Sequence, residues 1–169
     1  KLDLFHAVAA IAHTQATTDP LNPNAWHWQA YALGRYSQGI SVAKALAQGL
    51  GSKVKDALEK AIALNPKHSD AHVALGTFHA EVIDKVGPLI GGMTYGAKKD
   101  VGLDLFRQSL VLNPKSVIAM IEFANGMVML EGETRMEEAT ALYEQAAATQ
   151  AFDAMERLEV ELARTELAD

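Results

Sequence analysis

The sequence predicts an all-α protein, an α-solenoid of about three irregular helix hairpins, with an N-terminal helix before them and a C-terminal capping helix after. Three observations carry this. The stretch from Ala57 to His79, ALEKAIALNPKHSDAHVALGTFH, reads as the end of one helix, an Asn-Pro turn and the start of the next. The pattern returns at Asn113-Pro114, where VLNPKSVIAMIEFANG places apolar residues at comparable offsets, and a recurring helix–turn–helix unit is the mark of a repeat array. Ala and Leu dominate while β-branched residues are sparse, a composition that favours helix.

Taken in order, residues Lys1 to about Gln15 read as a helix, with Leu2, Phe5, Ala9 and Ile11 to Ala12 as its apolar face. Thr17 to Pro23 form a turn-rich break. Asn24 is the expected N-cap of a helix carrying Trp26, Trp28, Tyr31, Leu33 and Tyr36 and continuing past Gly39 to about Gln48. Gly49 and Gly51 end it, and Ser52 caps a helix to Leu64. Ser69 or Asp70 opens the next, to about Val86. Residues 87–96, GPLIGGMTYG, read as a glycine-rich loop inserted before helix resumes near Ala97 and runs to Asn113. Ser116 to about Leu130 and Thr134 to about Thr149 make a further pair around Glu131-Gly132-Glu133, and Phe152 to about Leu167 caps the array.

Apolar residues at 49% and charged ones at 21% make a globular composition, and 169 residues suffice for a sizeable core. The formal charge of −6 argues against a nucleic-acid binder. Residues 131–169 carry eleven acids against three arginines, whereas the first 130 residues are net +2; such a run reads as a solvated face or as a docking surface for a basic partner. There is no cysteine, which excludes disulfides and thiolate chemistry. No apolar run approaches the ~20 residues of a membrane span. The first residue is Lys1, so a processed or truncated product is expected.

Aligning the helices puts Leu33-Gly34, Leu75-Gly76 and Phe123-Ala124 at equivalent places in the first helix of each hairpin. Ala61, Ser109 and Ala146 are the small residues of the second helices, Leu58, Phe106 and Tyr143 precede them by three, and Pro66 and Pro114 close two of the units. This resembles the tetratricopeptide repeat, over residues 24–151, with units of about 24–66, 67–114 and 115–151 and a capping helix over 152–167, the whole a single domain. The units exceed the family's standard length of about 34 residues. Lengthened repeats followed by TYGAKKDVGLDLFRQSL are also similar to the TatT-like components of bacterial TRAP transporters and to the regulators of microtubule dynamics. The first of these likenesses implies a periplasmic or envelope setting.

The resemblance implies a right-handed solenoid and a concave groove lined by the first helices. Carried over by position, the groove shows Trp28, Tyr31, Arg35 and Gln38, then Asp70, Val73 and Thr77, then Ile121 and Asn125. Arg35 has a planar fork suited to a carboxylate, or it serves as an internal salt-bridge partner. Leu89, Ile90, Met93 and Tyr95, with Pro88, form a lid or partner contact, or tuck against the outer helices. Trp26 and Trp28 lie two apart and so cannot share a face; one is expected in the core.

His68, His72 and His79 share a helical stripe, and histidines at i and i+4 can hold zinc with Asp70 or Glu81. Two of them stand where the repeat family places core aromatics, so they are read as packing residues and no metal or cofactor is expected. There is no phosphate loop, no G-x-S-x-G and no HExxH. Glu137-Glu138, Glu159 and Glu161 lie amid surface charge with no neighbours expected to raise a carboxyl pKa. The chain is therefore read as non-catalytic: a scaffold for a peptide or partner protein. The alternatives are a small-ligand component of an envelope transport system, with Arg35 or Asn125 at a cavity wall, and a structural subunit of a larger complex.

Overall fold

The computed structural model describes residues 1–168. Its elements are α1 (Leu2–Thr18), α2 (Pro23–Gln38), α3 (Val42–Ala47), α4 (Leu50–Leu64), α5 (Ser69–Tyr95), α6 (Lys99–Leu112), α7 (Val117–Glu131), a 3₁₀ turn (Gly132–Arg135), α8 (Met136–Ala148) and α9 (Ala154–Glu166). The described residues hold no strand and no helix long and apolar enough to cross a membrane. Helices α2 and α4, α5 and α6, and α7 and α8 pack as three successive hairpins, with α1 against α2 and α9 against α7 and α8. This is the all-α solenoid expected.

The hairpins close as the small and large residues dictate. Ala61, Ser109 and Ala146 are wholly buried, which lets backbones approach. Leu58 and Phe106 fill the space three residues earlier. The Phe106 ring lies against Gly76, where a Cβ would come within 3.0 Å of it, and against Gly126, where a Cβ would fall 2.4 Å from Cε2. It also stacks on Phe123 at 5.4 Å. Burying such a ring contributes about 1.5–3 kcal/mol. Gly34 departs from the pattern, because a Cβ there would meet nothing within 4 Å. In the first hairpin the corresponding space is open.

Helix starts are displaced from the expected residues by one to three places. Asn22, rather than Asn24, caps α2, its Oδ1 accepting from Asn24 N at 3.0 Å, with Pro23 at the first helical position. Gly49 rather than Ser52 precedes α4, and His68 rather than Ser69 or Asp70 caps α5 through Nδ1. The helix expected to run through Gly39 breaks there, and Ser41 caps the short α3 instead.

The largest correction concerns residues 87–96. They are not a loop: α5 kinks at Gly87 and continues helically to Tyr95. Gly87 adopts φ 81°, ψ 160°, a region essentially restricted to glycine. Pro88 then starts the second segment, where its missing N–H leaves no hydrogen bond unmade. Tyr95 packs back on Gly51 and edge-on to Phe78 at 6.3 Å. Leu89, Ile90 and Met93 do not tuck in; they are exposed, Met93 by 82%.

Candidate functional site

The first helices of the hairpins line one side of a cavity of about 860 Å³ that opens to solvent. On α2, Trp28, Tyr31, Arg35 and Gln38 recur every three or four residues and so form one stripe. Trp28 is exposed in it, edge-on to Tyr31 at 5.5 Å. Trp26, on the other face, packs on the core and donates from Nε1 to Pro20 O at 3.0 Å, so the two tryptophans divide as expected. From α5 come Asp70, Val73 and Thr77.

From α7 the structure brings Ile118 and Glu122 to the groove, not Ile121 and Asn125. Ile121 is buried in the cluster that α9 closes, and Asn125 Oδ1 accepts the Tyr143 hydroxyl at 2.7 Å. The register error is one helical turn. Helix α7 is apolar on nearly every side, so spacing alone could not choose its groove face.

A polar network ties the three first helices together beneath the groove. Arg35 lies over the Tyr31 ring, 5.3 Å from its centroid, and donates to Gln38 Oε1 at 3.2 Å. Gln38 donates to Glu81 at 2.6 Å, and Glu81 accepts from Lys85 at 3.1 Å. Across the groove Arg35 pairs with Glu122 at 3.9 Å, and Glu122 accepts from Thr77 at 3.1 Å. Burial raises the Glu122 carboxyl pKa, opposed by Arg35 and the Thr77 bond. Arg35 is thus an internal partner as well as a lining residue.

The histidine stripe is committed elsewhere. His68 Nδ1 accepts from Ala71 N, which leaves Nε2 as the donor to Asn24 Oδ1 at 3.0 Å. His72 Nδ1 donates to His68 O at 2.9 Å, and His79 Nδ1 accepts from Lys98 N at 3.0 Å. His72 and His79 are buried, in keeping with packing residues. Burial, with Lys55 adding, lowers His79 to about 4. His27, which the sequence reading did not single out, is buried 4.9 Å from the His68 ring and is likewise lowered to about 4, by burial and then His68.

Two walls of the groove went unanticipated. One is α3, contributing Val42 and Leu46; the other is α9, contributing Met155, Leu158 and Leu162. All five are exposed, Leu158 by 67%. The capping helix therefore has two faces. Val160 and Ala163 bury against Val117, Met120 and Ile121, while the offset stripe faces the cavity. Asp153 caps it, accepting from Glu156 N at 2.9 Å, and the Glu156 carboxylate accepts from the N–H of Phe152, the residue before the cap, at 2.7 Å. The signal was present as the Met155, Leu158, Leu162 spacing. Glu159 also departs from expectation: burial, then Glu156, Asp153, Asp70 and Glu122, push its carboxyl up to about 7.

Comparison with known proteins places this geometry. Among solved structures, TTC0263, a thermophilic tetratricopeptide-repeat protein of Thermus thermophilus, superposes with a TM-score of 0.66 at 15% identity. The superposition covers 96% of this chain and 74% of that one. At that identity the likeness is one of fold, and it agrees with the repeat packing described above. No curated protein matches the sequence. The family profile described as regulator of microtubule dynamics protein 1-3 matches residues 1–85. The matched segment contains α1 to α4 and α5 up to the Gly87 kink, and with them the α2 stripe and the α3 wall. On this match over half its length, the chain belongs to the regulator of microtubule dynamics protein 1-3 family.

Proposed function

We propose that the chain is a non-catalytic scaffold whose groove receives a segment of a partner protein. The observation that carries this is the set of solvent-exposed apolar side chains lining one cavity: Val42 and Leu46 on α3, Met155, Leu158 and Leu162 on α9, and Trp28 on α2. Clustered exposed apolar surface of this kind marks interaction sites. Laying a helix into a hydrophobic groove is a recurrent recognition mode. The groove's polar groups favour binding over chemistry, because Arg35, Gln38, Glu81 and Lys85 hydrogen-bond or pair with one another. Membership of a family described as regulating microtubule dynamics accords with action through contacts. The small-carboxylate alternative is weakened because Glu122 already faces the Arg35 guanidinium.

The test is to pan a random 12-residue peptide display library against the protein, then measure the enriched peptides on two variants. One variant, Leu46→Asn with Leu158→Asn, removes an apolar side chain from each wall without adding charge. The other, Met93→Asn, changes an exposed residue outside the groove. Enriched peptides should lose binding to the first and keep it on the second. Peptides indifferent to the wall substitutions would overturn the proposal.

A further inference from the structure

The charges around the groove are unbalanced in a way that bears on its occupant. Six carboxylates line it, those of Asp70, Glu81, Glu122, Asp153, Glu156 and Glu159, against two cations, Arg35 and Lys85. Both cations are already engaged, Arg35 with Glu122 and Lys85 with Glu81. Among the described residues the other four carboxylates have no cationic partner within salt-bridge distance. They come from two helices: Asp70 from the first turn of α5, the others from the start and middle of α9. Interleaved with them on α9 are the exposed Met155, Leu158 and Leu162. His27 and His68 nearby add no opposing charge at neutral pH, since burial holds both below the ordinary imidazole pKa.

We infer that the groove selects a short amphipathic segment whose apolar side chains seat against the α3 and α9 walls and whose lysine or arginine side chains meet Asp70, Asp153, Glu156 and Glu159. The inference rests on the peptide-groove reading and adds the chemistry of the occupant. Complementary charge steers encounter and rejects acidic competitors. The apolar walls supply the contact area, so a merely basic peptide lacks half of what the groove offers. An acidic amphipathic segment would place like charges against four unpaired carboxylates. Glu159 gives the site a readout of its own. Its half-buried carboxyl is raised to about 7 by burial and then by Glu156, Asp153, Asp70 and Glu122, the last of which is paired with Arg35. A ligand cation favours the ionised form, so binding should release protons and strengthen as pH rises.

The experiment uses the same 12-residue library, panned at pH 7.5 and low salt, with the enriched sequences read for charge and apolar spacing. Enriched peptides should pair large apolar residues at i and i+3 or i+4 with a net positive charge. For the tightest of them, affinity should be about fivefold weaker at pH 6 than at pH 8, the size expected if the bound cation lowers the Glu159 carboxyl by about one unit. Glu159→Gln should flatten that profile. Neutral or acidic peptides that still need Leu46 and Leu158 would overturn this inference and leave the groove reading standing. A basic peptide whose pH profile survives Glu159→Gln would overturn the assignment to the α9 carboxylates. Enrichment of no peptide dependent on the walls would defeat both readings.

Discussion

Two glycines within first helices of the hairpins should respond oppositely to alanine. Gly126 and Gly34 both lie inside helices that face the centre of the array. A methyl group at residue 126 would fall 2.4 Å from Phe106 Cε2 and 2.7 Å from Cζ. The ring cannot yield, since it is fully buried, stacked on Phe123 and within 3.0 Å of the place a Cβ would occupy at residue 76. Overpacking of this kind costs about 1–3 kcal/mol, and the helix propensity of alanine returns up to about 1. An approach of 2.4 Å to a ring that cannot move takes the upper part of that range, so Gly126→Ala should lose about 1–2 kcal/mol net. At residue 34 a Cβ meets nothing within 4 Å, so Gly34→Ala should gain about 0.5–1 kcal/mol. For a chain of this size each kcal/mol moves Tm by about 2–4 °C. Urea unfolding followed by circular dichroism at 222 nm measures both. A Gly126→Ala protein as stable as the parent, or a Gly34→Ala protein less stable, would refute the packing account.

Other predictions follow from the buried and strained groups. His27 and His79, lowered to about 4 in the folded state against an ordinary 6.5, take up fewer protons folded than unfolded. Their contribution to stability is thus complete above about pH 6.5 and declines toward pH 4, by about 2 kcal/mol each at pH 5. NMR of the imidazole protons should show both titrating near pH 4, and midpoints near 6.5 would contradict their burial. Arg35→Ala should cost about 1 kcal/mol, modest because the pair is partly exposed and screened. Adding Glu122→Gln should recover most of that loss, whereas simple additivity of the two losses in urea titrations would show that the pair does not interact. Gly87→Ala should destabilise by about 1–3 kcal/mol, since no L-residue adopts its backbone region without strain; an unchanged urea midpoint would mean that the kink is not required.

What could be read from the chain is what local chemistry determines. The Asn-Pro breaks at Pro66 and Pro114 end helices because proline cannot continue them. Ala61, Ser109, Leu58 and Phe106 mark the hairpin contacts because size alone decides who can sit there. The missed features depend on context. The run from Gly87 to Gly96 looks like a loop by composition, yet one glycine absorbs the kink, residues 88–95 propagate helix and Gly96 ends it. Ile121 and Asn125 were displaced by one turn from Ile118 and Glu122, because α7 offers no polar face to fix its register. The raised carboxyl of Glu159 arises first from burial, which only the fold supplies, then from Glu156 and Asp153 nearby in sequence and from the distant Asp70 and Glu122. The groove was half legible for the same reason: its first-helix stripe follows from spacing, whereas its α3 and α9 walls follow from where the array ends.

The most direct measurement is methyl and indole NMR of the protein titrated with the tightest peptide from the library. The account predicts saturable shifts of the Trp28 indole and of the Leu46, Met155, Leu158 and Leu162 methyls, with Leu89, Ile90 and Met93 unmoved. Shifts confined to the exposed 88–95 segment, with the groove signals unchanged, would contradict it.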